Sequence, residues 1–147
     1  MTITNQSYNK LIEQKLRFLI FIDDDPTSNY IHELVLNNLK ISNTHFFLSA
    51  KECLEFLSKQ PENKNIEIHD IIFIDVNMPG IDGWQFIEIY QKRLRTNKNQ
   101  QFFVMLSADL NHNDIEKSKE YKNVKDFLIK PLSEKIFTKF FQKHKLI

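Results

Sequence analysis

Several apolar runs in this chain end in a polar side chain that could do chemistry. These side chains are, in chain order, Asp23 with Asp24, Asp75, Ser107 and Lys130. Three carboxylates held close together repel one another unless a cation or a proton lies between them. Mg2+ is a hard divalent ion that suits carboxylate, carbonyl and water oxygens. With a lysine and a hydroxyl beside such a metal, the group could bind and transfer a phosphoryl group, and Asp75 could accept it covalently.

These side chains can meet only if the runs that carry them are neighbouring parallel strands. The runs are continuously apolar, and each is followed by an amphipathic segment, which is typical of an α/β fold whose parallel sheet is covered by helices on both faces. The predicted strands are 17–22, 44–49, 70–75, 101–107 and 126–129. Ligands of such sheets bind at the carboxyl ends of the strands, where the polar groups would converge.

Five helices are predicted between and after the strands. They are 26–39, a helix from Ala50 that stops near Pro61, one from about Trp84 to Arg95, a weakly helical segment 109–122, and a last helix capped by Ser133. Asp25 is a plausible N-cap of the first helix, with Pro26 at its first position. The apolar spacing predicts that this helix buries the face carrying Ile31, Leu34, Val35 and Leu39.

The loop after Asp75 contains both glycines of the chain, Gly80 and Gly83. Glycine is absent elsewhere, so this loop is predicted to need backbone angles or close approaches that other residues resist. The single cysteine, Cys53, has the helical spacing of a core residue. The five histidines show no metal-ligand spacing and are predicted to lie at the surface: His32, His45, His69, His112 and His144.

Composition sets broad limits on function. The 147 residues fit one domain, with 41% hydrophobic and 27% charged residues. A net charge of +1 offers no general attraction to nucleic acid or to a membrane surface. The N-terminus shows no secretion signal, and no apolar run reaches the length of a membrane span. We therefore expect a cytoplasmic protein with an N-terminal extension (1–16) and one domain (17–147).

Four motifs, FIDDDP, DIIFIDVNMPGIDGW, VMLSAD and DFLIKP, occur in an order and spacing that resemble the receiver domain of two-component response regulators. The resemblance covers about residues 17–145. It implies a doubly wound, flavodoxin-like, five-stranded parallel sheet of order 2-1-3-4-5 with five helices. It also implies that the chain is a phosphoacceptor and not an enzyme, apart from slow autodephosphorylation that Asn77 and Asp109 would tune.

The resemblance implies a role for each site residue. Asp75 would be the phosphoacceptor and a Mg2+ ligand, Asp24 a direct ligand, Asp23 a ligand through water, and Asn77 a ligand through its backbone carbonyl. Ser107 and Lys130 would each bind a phosphoryl oxygen, and small Ala108 would leave room for the group. Phe127 would be the switch aromatic. The Lys130–Pro131 bond is often cis in this family, and proline makes that isomer accessible.

The resemblance implies a stand-alone receiver that takes its phosphoryl group from a histidine kinase or phosphotransfer protein and signals through a protein–protein contact. A phosphorelay intermediate is an alternative that the sequence does not separate. A degenerate receiver acting as a constitutive interaction module is another. A phosphatase with an aspartate nucleophile commonly needs a second acid two residues later, where this chain has Asn77.

Overall fold

The structure is a computed structural model that describes residues 10, 14–62, 65, 67–94, 101–109 and 111–146. Five parallel strands form one sheet in the order β2-β1-β3-β4-β5. The strands are β1 (Leu16–Ile22), β2 (Thr44–Phe47), β3 (His69–Asp75), β4 (Gln101–Ser107) and β5 (Val124–Ile129). The predicted flavodoxin-like sheet of order 2-1-3-4-5 is therefore confirmed.

Within the residues that the structure describes, each strand is followed by a helix, five in all. They are α1 (Pro26–Asn38), α2 (Ala50–Ser58), α3 (Gly83–Arg93), α4 (His112–Ser118) and α5 (Glu134–Lys143). The predicted caps are confirmed, since Asp25 accepts from Thr27 N and Ser133 accepts from Ile136 N. The predicted end of the third helix at Arg95 lies outside the described residues, as do residues 1–9 and 11–13 of the predicted extension.

Two apolar layers cover the sheet. One layer packs α1 and α5 against one face and contains Phe21, Phe73 and Phe137. The other packs α2 and α3 against the opposite face and contains Cys53, Trp84 and Met105. Adjacent strand residues alternate between the two layers, which is why the strands read as continuous apolar runs. The prediction that Cys53 belongs to the core is confirmed, since it is fully buried.

Strand boundaries differ by a few residues from the predicted ones. β1 begins at Leu16, which is buried and pairs with His69, so the predicted boundary between extension and domain cuts through the strand. β2 ends at Phe47 instead of 49, because Ser49 caps α2 with its side chain. β5 begins at Val124 instead of 126.

The predicted buried face of α1 is wrong in part. Ile31 and Leu34 are 37% and 46% exposed, whereas Asn29, His32 and Leu36 are buried. The helix is rotated relative to its apolar stripe because Asn29 and His32 supply hydrogen bonds to backbone groups beneath it. The prediction that all five histidines lie at the surface is wrong, since His32 is fully buried and only His112 is exposed.

Candidate functional site

The carboxyl ends of β1 and β3 lie side by side at the point where the strand order reverses. Ile22 is paired with Ile74, so Asp23 and Asp75 leave adjacent strands at the same edge of the sheet. Both are buried, with exposed fractions of 1% and 6%. Such a switch point is where open α/β sheets bind ligands.

The end of β1 is fixed by backbone hydrogen bonds to its surroundings. The N–H of Asp23 donates to the carbonyl of Phe47 on β2 (3.1 Å), and the N–H of Asp25 donates to Oδ1 of Asp23 (3.0 Å). Asp25 then caps α1, and Pro26 begins the helix at a position where a backbone N–H is not needed. This turn leaves Asp23 buried and Asp24 exposed.

Asp75 is held by its own loop. The N–H of Asn77 donates to Oδ1 of Asp75 (3.0 Å), and Val76 N donates to the carbonyl of Leu106 on β4 (2.9 Å). The Asn77 side chain is exposed. One oxygen of the Asp75 carboxylate is therefore oriented by the backbone, and the other faces the neighbouring strands.

Lys130 joins the two strand ends. Its Nζ donates to Oδ2 of Asp23 (2.8 Å) and to Oδ2 of Asp75 (3.1 Å). Its backbone N–H donates to the carbonyl of Ser107 at the end of β4 (2.8 Å). The predicted cis bond between Lys130 and Pro131 is present. A single ammonium group thus links side chains from β1, β3 and the end of β5.

The charges of this cluster shift its pKa values. Burial raises the pKa of Asp75 and the charge of Asp23 adds to this, while the hydrogen bonds from Asn77 and Lys130 oppose it. Burial alone would lower the pKa of Lys130, but its hydrogen bonds to Asp23 and Asp75 outweigh that effect and the pKa is raised. Both directions hold together because one ammonium is shared between two buried carboxylates.

The acids of the cluster fit a divalent cation. Asp23, Asp24 and Asp75 each offer a carboxylate oxygen, and these oxygens lie within 4.8 Å of one another. Three carboxylates and the Lys130 ammonium leave a formal charge of −2, which one Mg2+ would balance. Oxygen donors of this kind are the ones that Mg2+ prefers.

Ser107 ends β4 beside this cluster, Ala108 follows it in the chain, and Phe127 lies within β5. Ser107 is buried at the end of β4, its carbonyl accepts from Lys130, and its Oγ accepts from the N–H of Asp109 (3.4 Å). Ala108 is exposed. Phe127 lies on β5 opposite Met105 and packs, partly buried, against the apolar layer that contains Trp84. The structure thus brings the three acids, Ser107 and Lys130 to one edge of the sheet, whereas Phe127 lies inside β5.

The two glycines of the Asp75 loop are needed for different reasons. Gly80 has a φ of +77°, in the left-handed region that disfavours other residues, with open space around it. A Cβ on Gly83 would lie 2.9 Å from the carbonyl oxygen of Asp75 and 3.2 Å from Cα of Val76. The prediction of unusual angles or a close approach is confirmed, with one glycine serving each.

Two buried polar residues behind the cluster were not predicted. Asn29 donates to the carbonyls of Asp23 (3.2 Å) and Phe47 (3.1 Å), and Nε2 of His32 accepts from the N–H of Leu132 (3.1 Å). Their spacing of three residues on α1 was the available signal, because it puts both on one face of the helix. Their polar side chains instead favoured a prediction of solvent exposure.

A family model described as the response regulator receiver domain matches residues 19–142. The chain is 31% identical over 120 residues to the two-component response regulator ARR11 of Arabidopsis thaliana. That match covers 82% of this chain but only 20% of the relative, so the chain spans about a fifth of that protein's length. In the described part of the chain, none of the helices combines the length and apolar character that a membrane span requires.

Solved structures share the fold at low sequence identity. A two-component response regulator from Cytophaga hutchinsonii superposes with a TM-score of 0.71 at 24% identity, covering 85% of this chain and 93% of that one. The chemotaxis response regulator CheY4 of Vibrio cholerae superposes with a TM-score of 0.68 at 17% identity, covering 90% and 99%. Given the fold, the acidic cluster with its lysine, and the match to residues 19–142, the chain belongs to the response regulator receiver domain family.

Proposed function

We propose that this chain receives a phosphoryl group on Asp75 from a phosphohistidine of a histidine kinase or phosphotransfer protein. A carboxylate oxygen of Asp75 forms the new bond to phosphorus, the bond from phosphorus to the histidine nitrogen breaks, and the nitrogen keeps that electron pair. The observation that carries the proposal is the contact of one ammonium, Lys130, with both Asp23 and Asp75 in a cluster of net charge −2.

Each residue of the site has a role in this transfer. Asp24 and Asp75 would ligate Mg2+ directly, with Asn77 through its carbonyl and Asp23 through water. When bound, Mg2+ supplies positive charge that neutralises the phosphoryl oxygens. Lys130, already 3.1 Å from Asp75, is placed to follow the negative charge from the carboxylate to a phosphoryl oxygen. The Ser107 hydroxyl would donate to another such oxygen.

Phosphorylation would be read out at the surface around β5. Ser107 moves toward the phosphoryl group, Phe127 repacks inward, and the population shifts to a state in which the α4–β5–α5 face differs. We take the downstream contact to be with a protein and the reaction to occur in the cytoplasm. We take the receiver to act as a stand-alone protein, whereas the relative ARR11 is about five times as long as the region that matches this chain.

Phosphorylation by a small donor tests this proposal. The protein is incubated with acetyl phosphate and Mg2+, and the mass of the acyl phosphate is followed with time. Modification of the wild type, its loss in Asp75→Asn and its loss on chelation of Mg2+ are expected. Undiminished modification of Asp75→Asn would show that another residue accepts the group and would sink the proposal. No modification of the wild type would also sink it and would favour a constitutive interaction module. Passage of the group onward to a phosphotransfer protein would identify a phosphorelay intermediate.

A further inference from the structure

His32 lies on α1 and contacts the backbone two residues after Lys130. It is fully buried on α1, with its ring 5.2 Å from that of Phe21 and 6.1 Å from that of Phe137. His32 thus occupies a core position, although its ring carries two polar nitrogen atoms.

The hydrogen bond to Leu132 defines the state of the His32 ring. A backbone N–H can only donate, so Nε2 must be the unprotonated nitrogen and Nδ1 carries the hydrogen. Nδ1 has no hydrogen-bond partner among the residues that the structure describes. Burying the Nδ1–H group without a partner costs free energy, which an apolar side chain at this position would avoid. An apolar side chain would, however, leave the buried N–H of Leu132 without its acceptor.

The short segment from Lys130 to Leu132 depends on this bond for its position. Pro131 has no N–H, so the segment has two backbone donors. Lys130 N donates to Ser107 on β4 at 2.8 Å, and Leu132 N donates to His32 on α1 at 3.1 Å. The residue that carries the ammonium is thus fixed on one side by the sheet and on the other by a helix.

The same helix also fixes the partner of Lys130. Asn29, three residues before His32 on the buried face of α1, donates to the carbonyl of Asp23 at 3.2 Å. One helix therefore holds the backbone on both sides of the 2.8 Å contact between Lys130 and Asp23. We propose that His32 is a positioning residue of the receiver site, which together with Asn29 sets the separation of Lys130 and Asp23 through backbone hydrogen bonds.

This inference rests on the proposed phosphotransfer, and two substitutions separate positioning from packing. His32→Gln keeps an acceptor, the amide oxygen, at the end of a side chain of similar reach, whereas His32→Leu fills the volume without one. We expect His32→Leu to be phosphorylated by acetyl phosphate about tenfold more slowly than wild type, and His32→Gln to stay within about twofold. His69→Leu, on β3 at the end opposite Asp75, is the matched control and is expected to react as wild type.

Two measurements do not need phosphorylation. Amide exchange of Leu132 and the side-chain 15N resonance of Lys130 are recorded for each variant by NMR. Faster exchange and a shifted Lys130 resonance in His32→Leu, both restored in His32→Gln, support the inference. An unchanged Lys130 resonance in His32→Leu, or equal loss of phosphorylation rate in both variants, overturns it. If the wild type is not phosphorylated, the proposed function fails, and the NMR measurements alone decide whether His32 positions Lys130. If His32→Leu does not fold, His32→Met takes its place.

Discussion

The Nζ atom of Lys130 lies 3.1 Å from Oδ2 of Asp75, and the two side chains are only 14% and 9% exposed. The same ammonium lies 2.8 Å from Asp23, whose side chain is 1% exposed. Before any phosphoryl group arrives, Lys130 therefore neutralises part of a buried acidic cluster. Leaving a buried carboxylate without its cation costs far more free energy of folding than leaving an exposed one without it.

Lys130→Met should destabilise the fold and make its stability more dependent on Mg2+. Removing the ammonium leaves Asp23 and Asp75 without it, so we expect the free energy of unfolding at neutral pH to fall by about 3 kcal/mol. Because carboxylates without the lysine attract a metal more strongly, added Mg2+ should recover more stability in the variant than in wild type. Urea unfolding with and without Mg2+ measures both effects.

Lys143→Met provides the control for this loss. Lys143 also contacts a carboxylate, Asp126, at 3.1 Å, but its side chain is 61% exposed. Exposed pairs contribute about 0.5 kcal/mol, so the control should unfold almost as wild type does. Equal losses in the two variants would show that the Lys130 cluster behaves as an ordinary surface pair.

Substitutions of the two glycines should differ in cost and in effect on the site. Gly83→Ala places a Cβ 2.9 Å from the Asp75 carbonyl oxygen, and we expect a loss of about 2 kcal/mol with slower phosphorylation, since that backbone must shift. Gly80→Ala meets no atoms, and its positive φ alone should cost about 1 kcal/mol. Urea unfolding of the two alanine variants measures which loses more stability. Gly80→Asn should lose less stability than Gly80→Ala, because asparagine tolerates a positive φ. A larger loss for Gly80→Ala would contradict this reasoning.

The strand ends and helix caps could be predicted because their signals are local. Apolar runs place Asp75, Ser107 and Lys130 at strand ends, and the flavodoxin-like order then brings them to one edge of the sheet. The buried face of α1 could not be predicted in the same way. Asn29 and His32 satisfy backbone groups that are close only in the folded chain, with Leu132 lying 100 residues beyond His32. The apolar spacing includes Ile31 and Leu34, but it carries no information about those distant partners.

Burial of neutral His32 should make the fold sensitive to acid. Burial lowers its pKa from 6.5 to about 4; Lys130 adds to this and Asp23 opposes it. Between those values the unfolded chain binds a proton that the folded chain does not. The free energy of unfolding should therefore decrease by about 3 kcal/mol through this residue as the pH falls from about 6.5 to about 4. Above about pH 6.5 the ring is neutral in both states, so none of this stability is lost there.

His32→Gln isolates that contribution, because glutamine does not titrate. Urea unfolding at a series of pH values should show a shallower acid-side slope for His32→Gln than for wild type. His112→Gln, at an exposed histidine, is the control and should keep the wild-type slope. An unchanged slope in His32→Gln would mean that other groups account for the acid sensitivity.

Mg2+ should stabilise the folded chain through the acidic cluster. The oxygens of Asp23, Asp24 and Asp75 meet only in the fold, so the ion binds the folded state preferentially and should add about 2.7 kcal/mol at 100 times its dissociation constant. Asp24→Asn should reduce this gain, while Asp25→Asn, next to it but serving as the helix cap, should not. Thermal unfolding with and without Mg2+ tests the ligand assignment, and an undiminished gain in Asp24→Asn would reject it.

Trp84 should report the movement of α4 on phosphorylation. It is the only tryptophan of the chain and is 5% exposed. Its Nε1 lies 3.4 Å from Oδ1 of Asp114, and Nζ of Lys117 lies 5.3 Å from its ring centroid, so two charged groups of α4 adjoin the indole. A shift of α4 changes both contacts, and emission should change when beryllofluoride and Mg2+ are added to wild type.

Lys117→Met should reduce that fluorescence change without affecting phosphorylation, because it removes the charge over the ring but touches no group of the site. The cation–π contact is worth about 0.5 kcal/mol, so the variant should remain folded. Lys119→Met is the matched control, since Lys119 lies just after the same helix and pairs with Glu116 at 2.9 Å. If Lys117→Met keeps the full change, or if Asp75→Asn still shows it, the signal does not come from α4 moving past Trp84.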